Sequence, residues 1–180
     1  HFRNVLPYFR KAETWAFGGN DYRGDKGPLG VNNGNNMQNP LYKAFIRAGS
    51  DAGYFETDDY NGTQQEGFGA MHMTVKNGRR WSTANAYLRP AMERDNLTVV
   101  THALVHKVLL DGRDGKTATG VRYEQGGKVH EAKAAEEVIL SAGSIGSPHL
   151  LQLSGIGKRE VLEQAGIEVK HELPGVGENL

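Results

Sequence analysis

The segment at residues 138–157 constrains the fold of this chain more than any other. An apolar run at 138–140 is followed by small residues and glycines, and then by a helix-like segment that begins near Ser147 and Pro148. Serine is a favourable N-cap, and proline suits the first helical position. The pattern therefore predicts a strand, a glycine-lined turn and a helix. The amides and positive dipole end of that helix suit a phosphate or other anionic group.

The same segment carries a family signature. Residues 141–157 read SAGSIGSPHLLQLSGIG, and a Ser-Pro pair that precedes two aliphatic residues and Ser-Gly-Ile-Gly resembles the second signature of the glucose–methanol–choline (GMC) oxidoreductases. Residues 6–13 resemble a helix of this family upstream of its substrate region, and residues 57–62, 65–69 and 79–88 are similar to its choline-oxidising branch. Residues 96–99 and 174–180 complete the match. The resemblance therefore extends over nearly the whole chain.

The resemblance implies a fold and a reaction. The fold class is α+β or α/β, a fragment of an FAD-binding domain with a β-meander and part of a substrate domain. Residues 1–95 would belong to the substrate-binding region and residues 96–180 to the FAD-binding domain. The family removes a proton from an alcohol hydroxyl and a hydride from the adjacent carbon, and the hydride goes to FAD. The small-molecule alcohol would be choline or another alcohol, and the electron acceptor is left open. A non-catalytic stand-alone module is the alternative from a different class.

The resemblance also implies cofactor-binding residues. Ala142, Gly143, Ser144 and Ser147 would lie beside the flavin nucleotide, and Val105 would contact its adenine end, largely through the backbone. From the residues alone, the glycine could equally serve close strand–helix packing, and Val105 could be a core valine of a strand.

Other parts of the family pattern are not found in this sequence. The pairs Gly67/Gly69, Gly155/Gly157 and Gly175/Gly177 each begin a Gly-x-Gly, but none completes the Gly-x-Gly-x-x-Gly dinucleotide fingerprint. The catalytic histidine of the family and its partner belong to a segment that this sequence does not match. We therefore expect an internal fragment of a flavoenzyme that contains no catalytic residue of its own.

Composition excludes several other functions. Lys plus Arg and Asp plus Glu both number 21, so the formal net charge of zero gives no reason to expect a nucleic-acid partner. The sequence has no cysteine, and its seven histidines lack metal-ligand spacing, so we expect neither a disulfide nor a metal site. No apolar run reaches the ~18 residues that suggest a membrane span. The family resemblance implies a bacterial protein that is cytoplasmic or peripherally membrane-associated.

Three sets of side chains could contact a substrate. Asp58, Asp59 and Glu66 could attract a cationic alcohol, although a solvated turn is the simpler interpretation. Trp81, Tyr54, Phe55, Tyr60 and Phe68 could form an aromatic cage for a quaternary ammonium group, although core packing explains them as well. His72, between Met71 and Met73, is a weak candidate for a base.

Local patterns predict the following elements. The first part contains helices at 5–15, 40–52 and 83–92, the last interrupted by Pro90, a long loop at 18–38, and a hairpin turn at Asn77-Gly78. The second part contains four short strands at 97–101, 105–110, 119–124 and 128–133, most of them in an antiparallel meander with turns at Asp111-Gly112 and Gly126-Gly127. A doubly buried strand at 137–142, helices at 148–153 and 159–164 with a stop at Gly166, and an extended segment at 167–173 complete the prediction.

Overall fold

The computed structural model describes residues 1–34, 38–111 and 115–180. These residues form two compact units, unit 1 at His1–Val99 and unit 2 at Val100–Leu180. Among the described residues, no helix is both long enough and apolar enough to cross a membrane.

Unit 1 begins with helix α1, Phe2–Ala12, which is followed by strand β1, Glu13–Trp15. The sequence prediction of a helix to residue 15 was therefore wrong at its C-terminal end. Strand β1 pairs in parallel with β2, Leu29–Val31, which lies inside the segment that was predicted to be a loop. Residues 13–15 leave the helix because they gain a strand partner distant in sequence, which local periodicity does not reveal.

Helix α2 spans Pro40–Asp51, as predicted. The side chain of Asn39 caps it by accepting a hydrogen bond from the amide of Leu41 at 2.9 Å, and Gly53 follows the helix with φ +89°. The predicted hairpin is also confirmed: β3, Val75–Lys76, pairs antiparallel with β4, Arg79–Arg80. Asn77 and Gly78 both have positive φ, as a two-residue type I′ turn requires.

The helical run after the hairpin differs from the prediction. A π-helix at Ala84–Leu88 leads directly into the short helix α3, Arg89–Ala91. Pro90 lies within this continuous run, so the predicted interruption at Pro90 is not observed.

Unit 2 is built on a three-stranded antiparallel meander, β5 Ala103–Leu110, β6 Ala118–Gln125 and β7 Lys128–Lys133, in that order. This confirms three of the four predicted strands. Residues 97–101 are not a strand among the described residues, because they lie where the two units meet in sequence and gain no ladder partner. Gly112 of one predicted turn lies outside the described residues, whereas Gly126 and Gly127 have the positive φ of a turn.

The segment before the glycine turn also corrects the prediction. Residues 137–142 are irregular, and Ile139 is 75% exposed, so they are not a doubly buried strand. A strand needs at least one hydrogen-bonded neighbour, and the described residues pair none with this segment.

Helix α4, Gly143–Leu153, packs against strand β5 of the meander. Strand β8, Ile156–Gly157, pairs in parallel with β9, His171–Glu172. Helix α5 has the predicted bounds, Arg159–Gln164. Gly166, with φ +69°, ends it in a Schellman motif, in which the amide of Ile167 donates to the carbonyl of Leu162 at 2.8 Å. The side chain of Leu162 is almost completely buried.

Candidate functional site

A cavity of about 640 Å³ lies in unit 2 between β5 and α4, and we call it the β5–α4 cavity. Its lining residues are Leu104, Val105, His106, Ala142, Gly146, His149, Leu150 and Leu153. The volume lies within the range of small-molecule and cofactor sites, and apolar groups dominate the wall. Val105 and Ala142, both predicted cofactor-binding residues, are thus brought together in one cavity.

An irregularity in β5 explains how the strand lines this cavity. Val105 pairs with Tyr123 and Lys107 pairs with Arg122, so His106 is skipped in the ladder as an extra residue. Side chains of a regular strand alternate between the two faces. Leu104, Val105 and His106 nevertheless all line the cavity, because the bulge breaks the alternation.

Ala142 and residues of α4 from Gly146 onward form the opposite wall, whereas the predicted residues Gly143, Ser144 and Ser147 are not among the lining residues. Gly143 has φ +84°, and a Cβ at this position would meet no atom within 4 Å, so the turn needs glycine for its backbone conformation and is open on that side. Ala142 is the N-cap and supplies no side-chain acceptor. The amides of the first helical turn, including that of Ser144, therefore lack a side-chain cap, a property that α4 shares with α1 and α5.

Ser147 has a different place from the one predicted. The helix begins at Gly143, so Ser147 is within it and is not the N-cap, and Pro148 lies inside the helix. The positive-φ glycine turns the chain before the predicted start, which lets the helix begin earlier. The Ser147 hydroxyl instead reaches back and accepts a hydrogen bond from the amide of Ala142 at 3.0 Å. This bond fixes the turn that carries Gly143 and Ser144.

Ser154 holds α4 against the strand, a role that the sequence analysis missed. Its hydroxyl accepts a hydrogen bond from the amide of Val108 at 2.8 Å and donates to the carbonyl of Leu150 at 2.6 Å. The residue is buried, and Val108 beside it belongs to the small apolar core. The Ser-Gly-Ile-Gly part of the signature could have suggested such a structural role.

Unit 1 contains a buried group of ionisable side chains, Glu13, Arg23, Asp59 and His72, which we call the Arg23 cluster. Arg23 is only 3% exposed; its Nε lies 2.9 Å from Glu13 Oε1, and its Nη1 donates to Asp59 Oδ1 at 3.2 Å. The guanidinium also lies 4.2 Å from the centroid of the Trp15 ring. Sequence reasoning did not identify this cluster, because its members come from distant segments with no shared motif.

His72 belongs to this cluster. Its side chain is 4% exposed, with ring centroids 4.6 Å from Trp15 and 4.4 Å from Tyr60. Burial lowers the pKa of His72 from its ordinary value; Asp59 acts against this shift, and Arg23 adds to it. Nδ1 lies 3.1 Å from Asn61 Nδ2 and 3.7 Å from Asp59 Oδ1. The ring is thus enclosed by Trp15, Tyr60 and the Arg23 cluster within unit 1.

The other substrate candidates of unit 1 lie in different surroundings. Asp59 is paired with Arg23, whereas Asp58 lines a cavity and Glu66 is exposed. Tyr54 and Phe68 contact each other with ring centroids 5.4 Å apart, Tyr60 stacks on His72, and the Trp81 ring lies 5.2 Å from Lys76 Nζ. The ring contacts of the described residues are thus spread over separate places, which favours the packing interpretation over a single aromatic cage.

Comparisons with known proteins agree with the sequence signature. The family profile described as GMC oxidoreductase matches residues 2–180. The chain is 63% identical to an oxygen-dependent choline dehydrogenase of Photobacterium profundum over 99% of this chain and 31% of the relative's length. It is 55% identical to an oxygen-dependent choline dehydrogenase of Vibrio vulnificus over 100% of this chain and 32% of the relative's length. This chain thus spans about one third of the length of these relatives.

Solved structures show the same fold. An FAD-dependent oxidoreductase from Chaetomium thermophilum matches with a TM-score of 0.83 and 31% identity, over 99% of this chain and 33% of that chain. The pyridoxine 4-oxidase from Mesorbium loti matches with a TM-score of 0.80 and 28% identity, over 96% of this chain and 33% of that chain. The mixed helix and sheet arrangement is therefore that of FAD-binding proteins.

Proposed function

We propose that this chain, which belongs to the GMC oxidoreductase family, forms part of a longer FAD-dependent alcohol oxidoreductase. The cofactor of the family is FAD, and its members act on CH–OH donors. Choline is the proposed substrate and betaine aldehyde the product, because the relatives at 63% and 55% identity are choline dehydrogenases.

Unit 2 would hold part of the FAD. Val105 and Ala142 would line the adenine end in the β5–α4 cavity, where the apolar wall suits a flat ring. Gly143 and Ser144 would let the nucleotide approach the uncapped amides of α4, and Ser147 would fix that turn from behind. When bound, FAD would accept the hydride from the alcohol carbon; the protein's part is to bind, orient and polarise.

The observation that carries this assignment is the meeting of two sequence-distant candidates in one cavity. Val105 comes from a bulged strand and Ala142 from the residue before α4, and both line the β5–α4 cavity. If Val105 were only a core valine of a strand, it would not need to share a cavity with Ala142. The bulge in β5, by which Leu104, Val105 and His106 all line this cavity, supports the same assignment.

Residues 1–95 are proposed as part of the substrate side and residues 96–180 as part of the FAD-binding domain. A GMC enzyme for another alcohol is the second candidate, and oxygen uptake compared with reduction of a dye acceptor in a substrate screen would separate the two. The words "oxygen-dependent" in the names of the relatives favour testing oxygen first. We also propose that the full-length protein is cytoplasmic or peripheral to a membrane, which a salt-wash fractionation of cells would test.

The cofactor assignment is tested in the full-length protein with Gly143→Val and Ser147→Ala. Valine resists positive φ and would project into the open space beside the turn, so we expect a large loss of bound FAD. Ser147→Ala removes one hydrogen bond, which costs about 1 kcal/mol, and should retain most of the flavin. The readouts are flavin absorbance per mole of protein and thermal unfolding. Full flavin in Gly143→Val together with loss in Ser147→Ala would refute the assignment.

The 180-residue chain alone should neither oxidise choline nor retain stoichiometric FAD. It holds only part of the proposed nucleotide site, and each tenfold loss of affinity corresponds to about 1.4 kcal/mol. Gel filtration followed by flavin absorbance, and flavin reduction with added FAD and choline, provide the measurements. A yellow, active fragment would contradict the proposal, and a reading frame limited to this chain would favour the stand-alone module.

A further inference from the structure

A cavity of about 480 Å³ in unit 1 lies between helix α1 and the loop at 24–27, and we call it the α1 cavity. The helix contributes five lining residues, Arg3, Leu6, Pro7, Arg10 and Lys11. Their spacing of three, four, seven and eight residues from the first places them on one face of the helix. One whole face of α1 is therefore a wall of this cavity, and the loop is the other wall.

Positive charge dominates the α1 cavity. Arg3, Arg10 and Lys11 line it from the helix and Lys26 from the loop, whereas Asp25 is the one carboxylate in its wall. Helix α1 itself contains no acidic residue. None of the four cations forms an ion pair with a residue that the structure describes. The formal net charge of the chain is zero, so this local excess of positive charge does not follow from the overall composition.

The helix dipole accounts for only part of this arrangement. Arg10 and Lys11 lie in the last turn of α1, where a cation is stabilised by the negative end of the dipole. Arg3 lies in the first turn, at the positive end, where a cation is unfavourable. Lys26 does not belong to the helix. These like charges repel one another around one cavity, and an anion between them would turn this repulsion into attraction.

Main-chain contacts hold the loop against the end of α1. The carbonyl of Gly24 accepts a hydrogen bond from the amide of Trp15 at 2.8 Å, and the amide of Gly27 donates to the carbonyl of Glu13 at 2.8 Å. A Cβ at Gly24 would overlap the carbonyl oxygen of Arg10, so this close approach of two main-chain segments requires glycine. The two walls are thus fixed relative to each other, which lowers the cost of ordering a ligand between them.

We propose that the α1 cavity binds a phosphate-bearing ligand, whose oxygens accept hydrogen bonds from the guanidinium groups of Arg3 and Arg10 and the ammonium groups of Lys11 and Lys26. A guanidinium group matches two phosphate oxygens at once, and an ammonium group adds a compact point charge. The tetrahedral oxygens of a phosphate suit donors that converge from a helix and a loop better than a planar carboxylate does. This site goes beyond the proposed function, because it lies in unit 1 and involves neither the flavin nor the alcohol.

The test uses the full-length protein saturated with FAD, and inorganic pyrophosphate is the probe in isothermal titration calorimetry. Arg3→Gln/Arg10→Gln should weaken pyrophosphate binding at least about tenfold, because two bidentate donors are lost. The matched control, Arg89→Gln/Arg94→Gln, removes the same charge from two exposed positions of unit 1. It should change the affinity less than about twofold, because exposed charges outside the cavity are screened by salt.

A second pair of variants keeps the inference testable if Arg3→Gln/Arg10→Gln fails to fold. Lys11→Gln/Lys26→Gln removes the same charge from the same cavity and should also weaken pyrophosphate binding. Thermal unfolding checks the fold of each variant.

A vesicle experiment identifies the source of the phosphate. Sedimentation with phosphatidylcholine vesicles only when they contain phosphatidylglycerol, lost in Arg3→Gln/Arg10→Gln, would indicate a lipid headgroup. Pyrophosphate binding without such sedimentation would indicate a soluble phosphate compound, and either result supports the site.

Three results would overturn the inference. They are no binding of either probe, as when an acidic segment elsewhere in the full-length chain fills the cavity, equal losses in the cavity and control variants, and equal affinity for pyrophosphate and succinate. FAD content and choline oxidation are measured separately on the same protein, so failure of this inference and failure of the proposed function are distinguishable.

Discussion

Units 1 and 2 are stabilised in different ways. Unit 1 has short two-stranded pairs and buries a charged side chain, Arg23, between two carboxylates and an aromatic ring. Unit 2 has a continuous three-stranded ladder and buries a hydroxyl, that of Ser154, between a strand and a helix. The comparison shows that long-range side-chain contacts order the irregular unit, whereas backbone pairing orders the regular one.

This difference has an energetic consequence. A buried ion whose partner is removed is left uncompensated at a cost of several kcal/mol. A hydrogen bond between uncharged groups contributes about 0.5–1.5 kcal/mol to stability. Leaving a buried donor or acceptor without its hydrogen bond costs about 1–3 kcal/mol. Single substitutions should therefore disturb unit 1 more than unit 2 where they remove a group that joins distant segments.

The largest effect is expected for Arg23→Met. Loss of the guanidinium leaves Glu13 and Asp59 without their shared cation, and we expect about 3–5 kcal/mol of local destabilisation. Hydrogen exchange of the β1–β2 pair measures it. The matched control is Arg47→Met, since the Arg47–Asp51 pair is exposed, and a change below about 0.5 kcal/mol is expected there. Equal destabilisation by Arg23→Met and Arg47→Met would contradict the idea that the buried cation orders unit 1.

The next largest effect is expected in unit 2 for Gly155→Ala. Gly155 has φ +86°, and a Cβ there would lie 2.6 Å from the carbonyl oxygen of Glu168. Gly166→Ala is the control, because Gly166 has φ +69° and open space around it. In this control, backbone strain alone should lower the free energy of unfolding by about 1–2 kcal/mol. In Gly155→Ala the main chain must also shift to relieve the overlap, which should lower the free energy of unfolding by a further ~1–3 kcal/mol. Denaturant unfolding measures both variants. A smaller loss for Gly155→Ala than for the control would contradict the role of close approach.

The sequence predicted the elements whose signals are local. Helix α2 has apolar residues at helical spacing and a stop at Gly53, the hairpin has its turn at Asn77 and Gly78, and α5 has its stop at Gly166, all within or next to the element they define. The β-meander was predicted for the same reason, since each strand lies next to its partner in sequence. The family resemblance supplied the fold and the FAD-binding character, which periodicity alone did not.

What the sequence did not reveal depends on distant contacts. Strand β1 was predicted as helix because its partner Leu29–Val31 lies beyond a long turn. Arg23 was overlooked because its partners Glu13 and Asp59 share no motif with it. The start of α4 was placed too late because Ser147 looks like a cap, whereas the positive φ of Gly143 begins the helix earlier.

A smaller effect is expected for Ser154→Ala. The amide of Val108 would lose its acceptor in the core, at a cost of about 1–3 kcal/mol, and exchange protection of β5 and α4 should fall together. Thr119→Val is the control, because the hydroxyl of Thr119 makes an exposed bond of 3.2 Å to the carbonyl of Leu109. A loss confined to α4 would contradict the role of Ser154 in joining the helix to the strand.

The smallest effect should be the pH dependence of unit 1 through His72. Because the folded pKa of His72 lies below the ordinary value of 6.5, the unfolded chain binds the proton more readily. The stabilisation from the neutral ring is therefore fully present above pH 6.5 and decreases as the pH falls toward the lowered pKa. His72→Phe keeps an aromatic ring against Trp15 and Tyr60 without titrating, so it should flatten this dependence. Hydrogen exchange of β1 between pH 5 and pH 7.5, corrected for intrinsic rates, compares the two proteins. A parallel pH profile in native protein and variant would show that His72 does not cause the dependence.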